Sequence, residues 1–186
     1  MLLFVRHAPV TKGGLCYGRA DVPTTPMEAS DPKVHRLVRD LRGRLAGRDA
    51  KLFTSPARRC VEVASYLVRT VAGLDPLPPD ERLWELSMGE WDGLPWTEVE
   101  ARDAPRLHTW MRCWQTTAPP GGETPSQLAQ RVAAFLAEQS GGSLWVVVAH
   151  AGVIRASWVI AEGVTWEQAL RRPVPHLQLL EHQVDR

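Results

Sequence analysis

The sequence predicts an α/β fold, a three-layer α/β/α sandwich around a mostly parallel sheet, and three observations carry that prediction. Strand-like and helix-like segments alternate along the 186 residues, as a layered sheet with crossover helices requires. Two of the strand-like segments, Leu2-Leu3-Phe4-Val5 and Leu144 to Ala149, are continuously apolar, the pattern of strands covered by helices on both faces. Each of these runs ends in a histidine, Arg6-His7 in one case and His150 in the other. Polar groups therefore stand at the carboxyl ends of buried strands, where open α/β sheets bind their ligands.

The elements follow in order. After the first strand, Pro9 to Pro26 is a Gly/Pro-rich loop. Lys33 to Leu45 carries Val34, Leu37, Val38, Leu41 and Leu45 on one face and reads as a helix. Lys51 to Thr54 is a short strand, and Ser55-Pro56 opens a second helix with a hydroxyl cap and a proline in its first turn. Ala57, Cys60, Val61, Ala64, Leu67 and Val71 form its buried face. Leu74 to Arg82 has three prolines and reads as loop. Leu83 to Trp114 is irregular, holds five of the eight tryptophans, and ends in a short helix after Pro105. This segment, about 84–120, reads as a cap-like insertion in a single domain of residues 1–186.

Thr124-Pro125-Ser126-Gln127 combines a capping box with an early proline, so a helix starts there; Gly141-Gly142 ends it. The strand Leu144 to Ala149 follows, and Ala151-Gly152 turns into another helix. Val174 to Leu180 suits an edge strand.

Composition narrows the function classes. With 44% hydrophobic and 23% charged residues the chain resembles an ordinary globular domain. Its 22 basic and 21 acidic residues leave no overall field to recruit nucleic acid or an anionic membrane, so any anion site is local. Cys16, Cys60 and Cys113 form no CxxC pair, and neither apolar run is long enough for a signal-peptide core or a membrane span. The expectation is a cytoplasmic protein acting on a small molecule, with no cofactor, no metal, no nucleic-acid partner and no membrane partner; a homodimer is compatible with it.

A phosphoryl group needs cations and N–H donors for its oxygens, a nucleophile in line, and an acid for the departing oxygen. Arg6 and His7 follow the first strand, Arg58 and Arg59 lie in the first turn of a helix, and His150 precedes another helix start. Glu85 lies in the irregular segment that can fold over them.

At these positions the chain resembles a known family. Leu3-Phe4-Val5-Arg6-His7-Ala8 resembles the R-H-G signature of the histidine phosphatase, or phosphoglycerate mutase-like, superfamily. Ser55-Pro56-Ala57-Arg58-Arg59-Cys60 is similar to its S-P-L-x-R-A segment, which selects Arg59 over Arg58. Leu83 to Gly93 is similar to L-x-E-x-x-x-G-x-W-E-G, and Val147 to Val153 to V-V-S-H-x-G-V. The resemblance implies a phosphoglycerate mutase-like fold and a metal-independent phosphatase that passes the phosphoryl group through His7. It makes Glu85 the acid and later the base, and gives phosphate binding to Arg6, Arg59, His150 and Ala151, with His150 also in the catalytic set.

Gly14 to Pro23 resembles the G-x-C-Y-G-x-x-D-x-P loop of α-ribazole-phosphatase-like members, which act in cobalamin biosynthesis. This implies α-ribazole 5′-phosphate as substrate and places Tyr17, Gly18 and Arg19 against it. Ala8-Pro9-Val10 departs from the family's Gly-Glu-Thr. A mutase-type phosphotransferase, a broad-specificity phosphatase and a non-catalytic phosphate-binding module are the alternatives. Blander readings apply elsewhere: His35, His108, His176 and His182 as surface or satisfied polar residues, Arg58 and Glu90 as solvated charges, Arg19 as either a substrate contact or loop solvation, and the tryptophans mainly as packing.

Overall fold

Each fully apolar strand has two faces to hide, and two helical layers hide them in the computed structural model of this chain, which describes residues 1–139 and 144–182. Strands β1 (Leu2–Arg6), β2 (Ala50–Thr54), β3 (Leu74–Pro76), β4 (Leu144–Ala149) and β5 (Leu179–His182) form one sheet in the order β3-β2-β4-β1-β5. All its pairings are parallel except that of β5, which lies antiparallel at the edge beside β1. The helices are α1 (Pro32–Leu45), α2 (Arg58–Thr70), α3 (Trp96–Cys113), α4 (Pro125–Ala137), α5 (Ala151–Glu162) and α6 (Trp166–Arg171). None of them is long and apolar enough to cross a membrane.

Side chains alternate across β1 as strand geometry demands. Leu3 and Val5 pack with Leu37 and Leu41 of α1 and Val63 and Leu67 of α2, while Leu2 and Phe4 pack with Val132 and Phe135 of α4 and Ile154 of α5. This is the predicted sandwich. Burying each such side chain contributes roughly 1.5–3 kcal/mol. A third, smaller cluster of Cys16, Met88, Trp91, Val99 and Leu107 sits beside the sandwich under the tryptophan-rich segment.

Local sequence sets most element ends. Asp31 accepts from the Lys33 N–H at 2.7 Å and Pro32 starts α1. Thr124 and Gln127 form the predicted capping box of α4. Gly141-Gly142 lies outside the described residues.

Other boundaries differ from the sequence reading. The α2 helix starts at Arg58, because Ser55 caps an extra turn through the Ala57 N–H rather than the helix itself. Leu74–Pro76 is a strand: Pro76 needs no N–H at that edge, so β2 recruits it. Before Pro105 the chain is helical from Trp96, broken only at Asp103 (φ −144°), two residues ahead of the proline. The short α6 helix was not expected at all, and the edge strand is Leu179–His182 rather than Val174 to Leu180.

This topology creates the crevice. After β1 the chain leaves toward α1 on one face, and after β4 it enters α5 on the other. β1 and β4 are neighbours, with Arg6 opposite Ala149. Their carboxyl ends thus flank a switch point where connections diverge, the place for a ligand in such a sheet.

Candidate active site

The register of β1 on β4 brings the two strand-end histidines together. The His7 N–H donates to the Ala149 carbonyl at 3.1 Å, and the His7 and His150 rings meet edge-on with centroids 5.2 Å apart. Both side chains are buried. His7 Nδ1 lies 2.7 Å from the Ala8 carbonyl oxygen. A carbonyl only accepts, so the proton sits on Nδ1 and Nε2 keeps its lone pair. Burial pushes the His7 imidazole down to about 3, reinforced by the positive charges of Arg59 and Arg6. The ring is therefore neutral at any physiological pH.

Arg59, buried in the first turn of α2, donates from Nε to His150 Nδ1 at 3.3 Å and from its terminal nitrogens to the Gly18 and Ala20 carbonyls, both at 2.7 Å. It thereby clamps the loop whose Tyr17 ring its guanidinium faces at 6.0 Å. With Nδ1 accepting, His150 Nε2 carries the proton and donates to Ser55 Oγ at 2.8 Å. Both of its ring nitrogens are occupied in this state. Arg6 donates to the Val174 carbonyl at 2.7 Å, and its buried Nε has no partner among the described residues. Ala151 opens α5, whose first-turn N–H groups lack intrahelical acceptors.

Glu85 reaches the site because α5 permits it. Its Oε2 accepts from the Gly152 N–H at 3.1 Å. A Cβ on Gly152 would overlap Glu85 Oε1, so the glycine is what admits the carboxylate. Gly152→Ala is expected to leave the fold intact, since alanine suits a helix, yet to displace Glu85 and slow turnover on the order of 10², the cost of about 1 Å of misplacement. Steady-state kinetics beside a melting curve checks this; unchanged kcat/KM would separate Glu85 from the chemistry.

Of the remaining expectations, Gly18 is held where a Cβ would overlap the Leu86 carbonyl. Arg19 is exposed and pairs with Glu123 at 3.0 Å. Arg58 pairs with Glu62, and Glu90 with Arg106, both as exposed charges. His35 is exposed, and His108 is exposed beside Glu100. His176 fits the reading of a satisfied polar residue but lies in the site, and His182 departs from that reading. His176 is half-buried against His7, ring centroids 5.1 Å apart, with Nδ1 2.7 Å from the His7 carbonyl. The bend after α6 carries it over β1, a tertiary placement. His182 is buried, and neither ring nitrogen has a hydrogen-bond partner among the described residues.

Sequence reasoning also missed Arg131. From α4 it donates to the carbonyls of Arg82, Trp84 and Glu85 and to the Glu123 carboxylate, pinning the segment that carries Glu85. Nothing in its sequence neighbourhood signals that.

Beside Glu85 opens a pocket of about 560 Å³ lined by Tyr17, Trp96, Trp110, Trp114, Trp166 and Arg155 among others. Trp96 stacks on Trp110 with centroids 6.2 Å apart. Trp91 is core as expected, and Trp96 and Trp110 pack against its cluster while also lining the cavity with Trp114 and Trp166.

The buried histidines make stability pH-dependent. Burial lowers His7, His150 and His176, so the folded state resists protonation while the unfolded chain takes up protons near the ordinary 6.5. Stability is full above that value and falls as pH drops below it. The Tm is expected to be lower at pH 5 than at pH 8; equal values would contradict the buried neutral rings.

The histidine phosphatase superfamily (branch 1) matches residues 2–186. A 2,3-bisphosphoglycerate-dependent phosphoglycerate mutase of Cytophaga hutchinsonii is 31% identical over 121 residues, spanning 62% of this chain and only 56% of that relative. The α-ribazole phosphatase from Shigella flexneri superposes with a TM-score of 0.74 at 24% identity, covering 96% of this chain and 87% of the other, a likeness of fold. A mycobacterial glucosyl-3-phosphoglycerate phosphatase gives 0.67 at 25% identity, covering 90% and 82%.

Proposed function

This chain belongs to the histidine phosphatase superfamily (branch 1), and from that premise we propose that it is a phosphomonoester hydrolase working through a phosphohistidine on His7. The observation that carries the reading is the His7 ring, with its proton held on Nδ1 by the Ala8 carbonyl and a free lone pair on Nε2 beside Arg6, Arg59 and His150. In the first step Nε2 attacks phosphorus and the P–O ester bond breaks. Glu85, as the carboxylic acid that the second step regenerates, gives the departing oxygen its proton. In the second step the Glu85 carboxylate removes a proton from water, whose oxygen attacks phosphorus, breaks the P–N bond and releases inorganic phosphate.

Arg6 offers its unused Nε, and Arg59 and the first turn of α5 at Ala151 complete the oxygen contacts. His150 joins by exchanging Ser55 for a phosphoryl oxygen. The cations and dipoles supply the positive charge, so the steps call for no metal.

For the substrate, the Gly14 to Pro23 loop and the tryptophan-lined pocket favour an aromatic leaving group, and α-ribazole 5′-phosphate is the leading candidate. The mutase relative supports a second reading, transfer to a phosphoglycerate. Comparison of kcat/KM decides between them: α-ribazole 5′-phosphate is expected to exceed 3-phosphoglycerate by at least about tenfold. Equal or reversed ranking overturns the α-ribazole assignment and leaves the hydrolase in place. Absence of turnover with any phosphomonoester, aryl phosphates included, would leave a binding module.

A further inference from the structure

Arginines that lose water elsewhere in this molecule are well supplied with acceptors. Arg131 donates to three carbonyls and a carboxylate, and Arg59 to loop carbonyls and His150. Arg6 leaves its Nε unpaired but still donates to the Val174 carbonyl, whereas Arg155 has no hydrogen bond at all among the described residues. It is half-buried, its Nε is shielded from solvent without a hydrogen-bond partner, and it makes no ion pair among the described residues. Removing donor groups from water without acceptors is costly, and the cost is recovered only when something brings acceptors.

Its position says what that something is. Arg155 lies one turn beyond Gly152 on α5, on the face where Gly152 holds Glu85. Its charge is felt by both Glu85 and Arg6, so it stands next to the phosphoryl site. It also lines the pocket with Trp96, Trp110, Trp114 and Trp166. One pocket wall therefore joins Glu85, Ala151 and Gly152 of the phosphoryl site, an unsatisfied guanidinium and aromatic rings.

The planar fork of a guanidinium suits two oxygens set close together. A carboxylate or a vicinal diol has that spacing. A carboxylate would sit beside the incoming dianionic phosphate, where like charge is unfavourable, whereas a diol accepts the same two hydrogen bonds without added charge.

We infer that Arg155 is a specificity-determining residue that binds the vicinal hydroxyls of a sugar linking the scissile phosphate to the ring among the tryptophans. The substrate class is then a nucleoside-type 5′-monophosphate, and the inference rests on the hydrolase reading above. The test pairs adenosine 5′-monophosphate with its 2′,3′-dideoxy analogue, which share phosphate, ester and base and differ only in the diol. Phenyl phosphate reports hydrolysis independently of any sugar.

The wild-type enzyme is expected to prefer the ribonucleotide by at least about tenfold in kcat/KM. Arg155→Met should bring that ratio close to one. Arg155→Lys keeps the stem and the charge while losing the fork, and should lose most of the preference too, which guards against a Met variant that fails to fold. A wild-type ratio near one, a ratio preserved in both variants, or hydrolysis of phenyl phosphate with neither nucleotide turned over overturns the inference while the hydrolase stands. No hydrolysis of phenyl phosphate by the wild type defeats the hydrolase reading itself.

Discussion

His7→Ala is expected to lower kcat by at least about 10⁴-fold for every phosphomonoester, because loss of the nucleophile removes the covalent route altogether. No neighbour is placed to substitute. The nitrogens of His150 are both engaged, by Arg59 and Ser55, and Cys60 is buried with its thiol held in the neutral form by desolvation. His176 bonds the His7 carbonyl, which the variant retains, so the backbone that places the site has its anchor. Inorganic phosphate should still bind, since the arginines remain. Steady-state rates beside a phosphate titration check both halves; a residual kcat within tenfold of wild type would move the nucleophile elsewhere.

Glu85→Gln should discriminate between leaving groups. A sugar alkoxide is strongly basic and needs a proton as it departs, whereas p-nitrophenolate leaves without one. The amide keeps the size and still accepts from the Gly152 N–H, but it cannot donate the acidic proton. Phosphoryl transfer from an alkyl phosphate is therefore expected to slow by about 10² to 10⁴. The initial burst of nitrophenol from p-nitrophenyl phosphate should slow far less, and the burst rather than the steady rate is the proper readout because Glu85 also activates water in the second step. Equal slowing of both would make Glu85 a positioning or charge-setting group, and Glu90 or Glu123 the next acid to test. The structure disfavours both: Glu90 is exposed against Arg106, and Glu123 is tied to Arg19, Arg131 and the Ser87 N–H.

What could be read from sequence was what short range determines. β4 was legible to the residue because six consecutive apolar side chains have no other way to be buried, α1 because its apolar periodicity is regular, and α4 because cap and periodicity agree there. Boundaries failed where local signals compete, as at Ser55, whose hydroxyl caps a turn ahead of α2, and at Pro105, which hides the helix on its N-terminal side. The site divides the same way. His7, His150 and Arg59 sit at strand and helix ends, so their convergence follows from a parallel register. Glu85 was a candidate by its place in the irregular segment, and its role as acid and base came from the resemblance alone. His176, Arg131 and Arg155 come from a late bend, the middle of α4 and the second turn of α5, and only tertiary packing turns them toward the same place.

The measurement that bears most directly on this account is a quench of the enzyme during turnover of labelled phosphomonoester, without acid, followed by peptide mapping. The phosphohistidine mechanism predicts an acid-labile, base-stable phosphoryl group on the peptide that contains His7, formed and lost at rates compatible with kcat, and absent from His7→Ala. Turnover with no such adduct, or an adduct of equal yield in His7→Ala, would contradict it.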